Sequence, residues 1–255
     1  MRRTVVPFTI AAVVVALAGC SGTAADQATS QDPPLIVFAA ASLQGAFDEL
    51  ADAFTAEHPS YAVAPVRYDG SPALATQVID GADVDVIAFA NEESLAPVVD
   101  AGRAADGEIF ATNTLRIAVA SGNPHRIADL DDLADPSLAV VLCAPEVPCG
   151  SAAQKLLAHA EVSVTPVSEE TNVTSVLTRV ADREADAGLV YATDIAAAAP
   201  DVDGIVPTGA EAVVNRYPIA VTESAPSPEI ARAFVDFVLS DAGQSILAGH
   251  GFESP

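Results

Sequence analysis

Short apolar runs alternate along the chain with longer segments in which apolar residues recur every three or four positions. Runs of about four to eight apolar residues are typical of strands buried on both faces, and the wider spacing is typical of amphipathic helices. Strands are predicted at residues 35–38, 62–67, 84–89, 115–120, 138–142, 187–191 and 217–221. Helices are predicted at residues 43–54, 73–79, 94–100, 127–133, 152–160, 173–180 and 228–239. Strands that alternate with helices indicate an α/β fold with mostly parallel sheets.

The body of the chain shows no internal repeat, no low-complexity block and no long linker that would divide it. Its 255 residues exceed what one ordinary core needs, so one large domain or two compact lobes is expected. Two lobes joined by crossing segments explain the uninterrupted alternation of strands and helices more simply than two domains in series do.

The N-terminus has the features of a secretion signal. Arg2 and Arg3 precede an apolar run, Val5–Leu17, of about 13 residues, which is short for a bilayer core of about 30 Å. The run ends in Leu-Ala-Gly-Cys, which resembles the lipoprotein signal-peptidase box of bacteria and implies removal of residues 1–19 and a diacylglyceryl group on Cys20. The alternative is an ordinary signal peptide with an incidental cysteine.

Residues 20–34 are small and polar and end in two prolines, which predicts a lipidated, flexible tether. The mature body is therefore expected to work outside the cytoplasm, held at the cell membrane by its lipid.

The charge balance narrows the function classes. Thirty-five acidic and 11 basic side chains give a formal charge of −24, and removal of the two signal-peptide arginines makes the mature charge −26. A surface this acidic repels phosphate backbones, so a nucleic-acid partner is excluded. With 51% apolar residues, the chain can bury a substantial core.

Cys143 and Cys149 lie six positions apart in the segment CAPEVPC. Outside the cytoplasm, two cysteines this close favour a disulfide around a small loop, and two buried thiols are the alternative. The chain's histidines are scattered, which disfavours a zinc site; they are His58, His125, His159 and His250.

Polar or small residues stand where four of the predicted helices begin. Ser42 follows the first strand as a candidate N-cap, Ser71 precedes Pro72 as another, Cys149 lies in a third helix start and Val173 in a fourth. Helix N-termini offer unpaired backbone N–H groups and partial positive charge, and in open α/β sheets they gather at the carboxyl ends of the strands. Such a pocket of N–H and hydroxyl donors suits a fully deprotonated oxyanion.

Each of these residues also has a plainer interpretation. Capping a helix is the commonest role of a serine in this position. Tyr191, which ends the predicted strand 187–191, is more often a half-buried packing residue than a ligand.

At five places in order along the chain, the sequence resembles the periplasmic molybdate-binding proteins of bacterial ABC importers, the ModA family. The motifs are VFAAAS (37–42), YDGSPALATQV (68–78), EVPCG (146–150), GLVYATD (188–194) and YPIAV (217–221). The resemblance covers about residues 35–252. It implies a type II periplasmic-binding-protein fold with two α/β lobes and two crossover segments. Lobe I would comprise residues 35–113 and the return segment 218–255, and lobe II residues 114–217.

The resemblance also implies five ligand residues. Ser42 would donate its hydroxyl and backbone N–H, Ser71 its hydroxyl, Cys149 and Val173 their backbone N–H groups, and Tyr191 its hydroxyl. Pro72 departs from the serine-rich loop common in the family, and its missing N–H puts the number of backbone donors there in doubt.

The function implied is capture of molybdate or tungstate for a membrane permease of the ABC type, by a monomeric binding protein that is not an enzyme. No cofactor and no free metal cation are implied, because the molybdenum would be bound as an oxyanion. A receptor for sulfate or phosphate on the same fold is the alternative.

Two other function classes find less support. The chain has no G-x-S-x-G motif, which disfavours a serine hydrolase. A divalent-cation binder would need ligands spaced as in a metal-binding loop, and the acidic pairs at 131–132 and 169–170 do not have that spacing.

Overall fold

A computed structural model describes residues 33–255 of the chain. The predicted signal peptide, the lipidation site Cys20 and the tether up to residue 32 lie outside the described residues. Within 33–255, none of the helices combines the length and the apolar character needed to cross a membrane.

The described part of the chain forms nine strands, eight α-helices and three short 3₁₀ turns. The strands are β1 (Val37–Ala40), β2 (Arg67–Asp69), β3 (Val86–Ala88), β4 (Glu108–Ala120), β5 (Val140–Cys143), β6 (Ser168–Glu170), β7 (Ala187–Tyr191), β8 (Val202–Ile205) and β9 (Val214–Val221). The helices are α1 (Gln44–Glu57), α2 (Ser71–Ile79), α3 (Glu92–Asp100), α4 (Pro148–His159), α5 (Val173–Ala181), α6 (Ala192–Ala198), α7 (Pro228–Leu239) and α8 (Asp241–Gly249). The 3₁₀ turns are Ala41–Leu43, Leu130–Ala134 and Ala210–Ala212.

Strand β4 joins two sheets. Its first half pairs with β9, which pairs in turn with β3, β1 and β2, whereas its second half pairs with β7 and β8, and β7 continues to β5 and β6. Pairing is parallel among β2, β1 and β3 and among β6, β5 and β7. The pairs made by β4 and β9 are antiparallel. The prediction of parallel strands is therefore correct for the outer strands of each half, whereas the strands that connect the two halves are antiparallel.

The buried apolar residues form three clusters, two on one side of the junction in β4 and one on the other. The first packs α1, α7 and α8 on one face of the first sheet. The second packs α2 and α3 on its opposite face. The third surrounds β5 and β7 and contains the inner faces of α4 and α5. We keep the names lobe I and lobe II for the two halves that this junction separates.

Helix α5 illustrates how the sequence produces this packing. Val173, Val176 and Val180 recur at helical spacing and are all buried, and the N-cap residue Asn172 accepts a hydrogen bond from the backbone N–H of Ser175. Its buried side faces β7, where a side chain at Gly188 would collide with Val176, so a residue without a Cβ allows the close approach.

One predicted helix is replaced by a tighter turn. Residues 127–133 carry only the 3₁₀ turn Leu130–Ala134, which the Asp129 carboxylate caps by accepting from Leu130 N–H. The chain leaves the helical conformation at Asp135, which is followed by Pro136, and a residue before proline disfavours the α region. In the predicted strand at 62–67, Val63 forms only an isolated parallel bridge with Leu35, and continuous pairing begins at Arg67.

Candidate functional site

The five residues named as ligands all lie at or after the carboxyl end of a strand. Ser42 comes after β1, Ser71 after β2, Cys149 after β5 and Val173 after β6, while Tyr191 is the last residue of β7. Parallel strands end at the same edge of their sheet, which explains how residues so far apart in the sequence can meet.

These residues line one small cavity between the two lobes. Its lining comprises Ala40, Ala41, Ser42, Asp69, Gly70, Ser71, Ala90, Val147, Pro148, Cys149, Asn172, Val173 and Tyr191. The structure thus brings all five residues together, and both lobes contribute to the wall.

Neither serine has the capping role that the sequence suggested. Ser42 lies inside the 3₁₀ turn that precedes α1, and its Oγ is 3.1 Å from the hydroxyl oxygen of Tyr217. Ser71 is the first residue of α2, behind Gly70 as the N-cap, and its Oγ accepts a hydrogen bond of 3.1 Å from the backbone N–H of Ala90. Both hydroxyls are held by contacts with distant residues, so the capping prediction was wrong for both.

Helices α4 and α5 bring backbone N–H groups to the cavity. Cys149 is the second residue of α4, and a disulfide joins it to Cys143 at the end of β5. Val173 is the first residue of α5. The first four N–H groups of a helix have no partner within the helix, so both residues can offer a donor and the positive end of the helix dipole.

Tyr191 is almost fully buried, with 1% of its surface exposed. Its hydroxyl oxygen accepts a hydrogen bond of 3.0 Å from Nδ2 of Asn215. Burial, the nearby Tyr217 and the charge of Asp194 raise the pKa of Tyr191 well above its usual value of 10.0. The phenol therefore stays protonated at neutral pH and remains able to donate a hydrogen bond.

Two carboxyl groups stand close to the site. Asp69 lines the cavity and its Oδ1 accepts from the backbone N–H of Gly70 at 2.7 Å. Asp194 lies behind Tyr191, where its Oδ2 accepts from the Tyr191 backbone N–H at 2.8 Å. Burial raises the pKa of Asp194 from 3.8 to about 7, and the backbone hydrogen bond partly opposes this shift. Arginine, lysine and histidine do not occur among the described residues that line the cavity.

The two lobes are in direct contact around the cavity. Gly70 of lobe I lies so close to the carbonyl oxygen of Thr171 in lobe II that a Cβ would overlap it. Outside the cavity, Glu93 of lobe I accepts hydrogen bonds from Ser151 Oγ at 2.9 Å and Lys155 Nζ at 2.7 Å, both on α4 of lobe II. The arrangement is that of a closed cleft.

Sequence reasoning missed the residues that stand behind the ligands. Ala90 contacts Ser71, Asn215 contacts Tyr191 and Tyr217 contacts Ser42. The sequence places Tyr217 in a predicted strand and in the motif YPIAV without indicating a role at the site, and Asn215 has no local signal. Their roles depend on pairing between β4, β9 and β3, which brings together residues more than 100 positions apart.

Two lobes, a closed cleft and a cavity lined by helix N-termini define a solute-binding protein of the periplasmic type. Residues 35–253 match the family described as bacterial extracellular solute-binding protein. The chain is 43% identical over 222 residues to the molybdate-binding protein ModA of Mycobacterium tuberculosis, covering 87% of this chain and 85% of that protein. The chain therefore belongs to the bacterial extracellular solute-binding protein family and, within it, to the ModA group, which confirms the resemblance found in the sequence.

Solved structures give the same fold. The periplasmic molybdate-binding protein of Azotobacter vinelandii superimposes with a TM-score of 0.76 at 21% identity, over 87% of this chain and 99% of that one. The sulfate-binding protein SubI of M. tuberculosis superimposes with a TM-score of 0.75, also at 21% identity, over 87% and 86% of the two chains. The predicted type II periplasmic-binding-protein fold is thereby confirmed.

Proposed function

We propose that this protein captures molybdate or tungstate outside the cytoplasm and delivers it to a membrane permease of the ABC type. Lobe I (35–113 and 218–255) and lobe II (114–217) close over the anion. Ser42, Ser71 and Tyr191 donate hydroxyl hydrogen bonds, and Cys149 and Val173 donate backbone N–H groups. The role is transport, with no chemical change in the anion.

The observation that carries the proposal is the convergence of these donors on one small cavity. Ser42 and Ser71 belong to lobe I, whereas the other three belong to lobe II, and all five line the same wall. A dianion would therefore contact both lobes only when they are closed, and it would favour the closed state. A permease that recognises the closed state then binds the anion-bound protein in preference to the anion-free protein.

Local donors must overcome the field of a strongly acidic protein. The whole chain has a formal charge of −24, which opposes the approach of a dianion. Hydrogen bonds to a charged group contribute about 1.5–3 kcal/mol each. Four or five of them, less the costs of desolvation and closure, are consistent with micromolar or tighter binding, about −8 kcal/mol or better.

The lipid anchor is the part of the proposal that rests on the N-terminal sequence. Signal cleavage before Cys20 and acylation of its thiol would keep the binding protein beside its permease through the tether 20–34. Cells supplied with a labelled fatty acid should incorporate the label into the wild-type protein and not into Cys20→Ser. Absence of the label from the wild-type protein would contradict the anchor without touching the binding function.

A calorimetric titration of the purified protein with molybdate, tungstate, sulfate and phosphate tests the binding function. We expect molybdate and tungstate to bind with micromolar or lower Kd, accompanied by a smaller radius of gyration in X-ray scattering. Sulfate is included because the same fold serves a sulfate-binding protein. Tight binding of sulfate or phosphate in place of molybdate would support the alternative receptor, and no binding of any of the four would refute the proposal.

A further inference from the structure

We propose that Asn215 is a positioning residue that fixes the Tyr191 hydroxyl as a hydrogen-bond donor to the cavity. The proposal rests on the proposed oxyanion-binding function and adds to it a residue outside the cavity wall. It also explains how the Tyr191 hydroxyl can present its proton, and not a lone pair, to the ligand.

Asn215 is placed where the two lobes meet. It lies on β9, is 6% exposed, and pairs in register with Asn113 on β4 at the crossing between the sheets. Its Nδ2 donates to the carbonyl oxygen of Ala90 in lobe I at 3.0 Å and to the hydroxyl oxygen of Tyr191 in lobe II at 3.0 Å. One amide nitrogen thus holds a residue of each lobe.

The Ala90 carbonyl determines which way the amide of Asn215 points. A backbone carbonyl can only accept hydrogen bonds, so the atom facing it must be the NH₂ group of Asn215 and not its oxygen. The second proton of that NH₂ group is then directed at the Tyr191 oxygen. Reversing the amide would place two acceptors against each other on the Ala90 side.

Because the Tyr191 oxygen accepts from Asn215, its own proton is left for another acceptor. A phenol has one proton to donate. An anion oxygen in the cavity would be that acceptor. Tyr191 therefore donates its proton to the ligand. Every oxygen of a fully deprotonated oxyanion can accept that proton, whereas the O–H group of a protonated oxyanion is itself a donor and would face the Tyr191 donor without forming a hydrogen bond.

The same peptide unit orients a second hydroxyl. The N–H of Ala90 donates to Ser71 Oγ at 3.1 Å, so the Ser71 proton is also directed away from the scaffold. Ser42 differs, because either hydroxyl of the Ser42–Tyr217 pair can donate. The Ala90 peptide and Asn215 together fix one donor in each lobe.

A double-mutant cycle tests the proposal. Molybdate affinity is measured by calorimetry for wild type, Asn215→Leu, Tyr191→Phe and the double variant. We expect Asn215→Leu to weaken binding at least fivefold in the wild-type background and less than twofold in the Tyr191→Phe background, because the residue acts through the hydroxyl. An equal loss in both backgrounds would show a merely structural role and would overturn the proposal.

The controls separate orientation from folding. Asn113→Leu, at the register partner, removes a similarly buried amide that donates to Thr193 Oγ1 at 2.9 Å, and its effect on affinity should be the same in both backgrounds. If Asn215→Leu lacks a cooperative melting transition, Asn215→Ala replaces it in the same cycle with the same expected outcome. If the wild-type protein binds molybdate but the effects of the two substitutions are additive, this inference alone is refuted. If the wild-type protein binds none of the four oxyanions, the proposed function is refuted and this inference with it.

Discussion

Gly70 of lobe I packs directly against the backbone carbonyl of Thr171 in lobe II, at the edge of the cavity. The backbone of Gly70 has φ −60° and ψ 135°, a conformation open to any residue, so glycine is needed here for space alone. Separation of the lobes would break this contact. A side chain at this position would therefore act on closure and leave the fold of each lobe intact.

Gly70→Ala should weaken molybdate binding at least tenfold, because the added methyl group holds the cleft partly open. The melting temperature of the ligand-free protein should be unchanged or slightly raised, as expected when alanine replaces glycine without strain. Calorimetry gives the affinity, and X-ray scattering shows whether molybdate still compacts the protein. Gly249→Ala, at a glycine with open space around its Cβ position, is the matched control. Wild-type affinity and compaction in Gly70→Ala would contradict the close cross-lobe contact.

Ser42→Ala and Tyr191→Phe should each weaken molybdate binding at least tenfold. Each change removes one hydroxyl donor to a charged ligand, which is worth about 1.5–3 kcal/mol. Ser121→Ala and Tyr61→Phe make the same chemical changes at residues that do not line the cavity, and they should leave the affinity unchanged. Unchanged calorimetric affinity in both site variants would mean that the anion binds elsewhere.

The sequence predicted elements best where one pattern dominated. Strand β7 (Ala187–Tyr191) and helix α7 (Pro228–Leu239) have the predicted bounds, since the first is a continuous buried run and the second begins with proline and keeps a strict apolar face. Strand β6 (Ser168–Glu170) is polar and was missed, because its order comes from backbone pairing with β5. The amino-terminal half of β4 was missed for the same reason.

The candidate site was predictable where chemistry follows a strand directly along the chain. Strand ends and helix starts alone predict that Ser42, Ser71 and Tyr191 lie near one edge of the sheet. The orientation of their hydroxyls was not predictable, because it depends on Ala90 and Asn215, which reach the site through pairing between distant strands. A local pattern can indicate which groups meet, but not which of them donates.

Reducing the bond between Cys143 and Cys149 should lower the free energy of unfolding by about 2 kcal/mol, since the bridge closes a short loop. Molybdate affinity should fall as well, because Cys149 lines the cavity and the bridge ties the start of α4 to the end of β5. Thermal unfolding and calorimetry with and without a thiol reductant measure both effects. The Cys143→Ala/Cys149→Ala variant should not respond to the reductant, and an equal response in it would place the effect at another site.

Asp194 should make stability depend on pH across the neutral range. Its pKa is about 7 in the folded protein against 3.8 for the free side chain, so the folded state binds its proton more tightly. The stability it contributes is full below pH 3.8 and is lost as the pH rises through about 7. Asp194→Asn should therefore be more stable than wild type at pH 8 by a few kcal/mol, with a smaller difference at pH 5.

Molybdate affinity should also depend on the ionisation of Asp194. Ionised Asp194 lies next to Tyr191 and repels a dianion in the cavity, so wild-type affinity should fall between pH 6 and pH 8 while that of Asp194→Asn changes less. Asp201→Asn, at an exposed acid, controls for the loss of one negative charge. Parallel pH profiles for wild type and Asp194→Asn, in both stability and binding, would exclude a raised pKa at Asp194.

The contact between Glu93 and helix α4 should contribute to closure by a small amount. The chain's single lysine, Lys155, and Ser151 hold the pKa of the Glu93 carboxyl below its usual value, mainly through the lysine hydrogen bond. Both side chains of the ion pair are more than half exposed, at 56% for Lys155 and 60% for Glu93, so solvent screens their attraction. Such pairs contribute about 0.2–1 kcal/mol, which limits the loss of molybdate affinity in Glu93→Gln to roughly fivefold.

The neighbouring Glu92 provides the control for that variant. Glu92 pairs with Arg216 on β9, the strand that lies between β3 and β4, so Glu92→Gln removes the same charge without breaking a contact to helix α4. Calorimetry at low ionic strength should therefore show weaker binding for Glu93→Gln than for Glu92→Gln. The difference should disappear near 1 M salt, where the screening length is about 3 Å. Equal affinities of the two variants at low salt would mean that this contact does not stabilise the closed state, and that the hydrogen-bond donors in the cavity stabilise it instead.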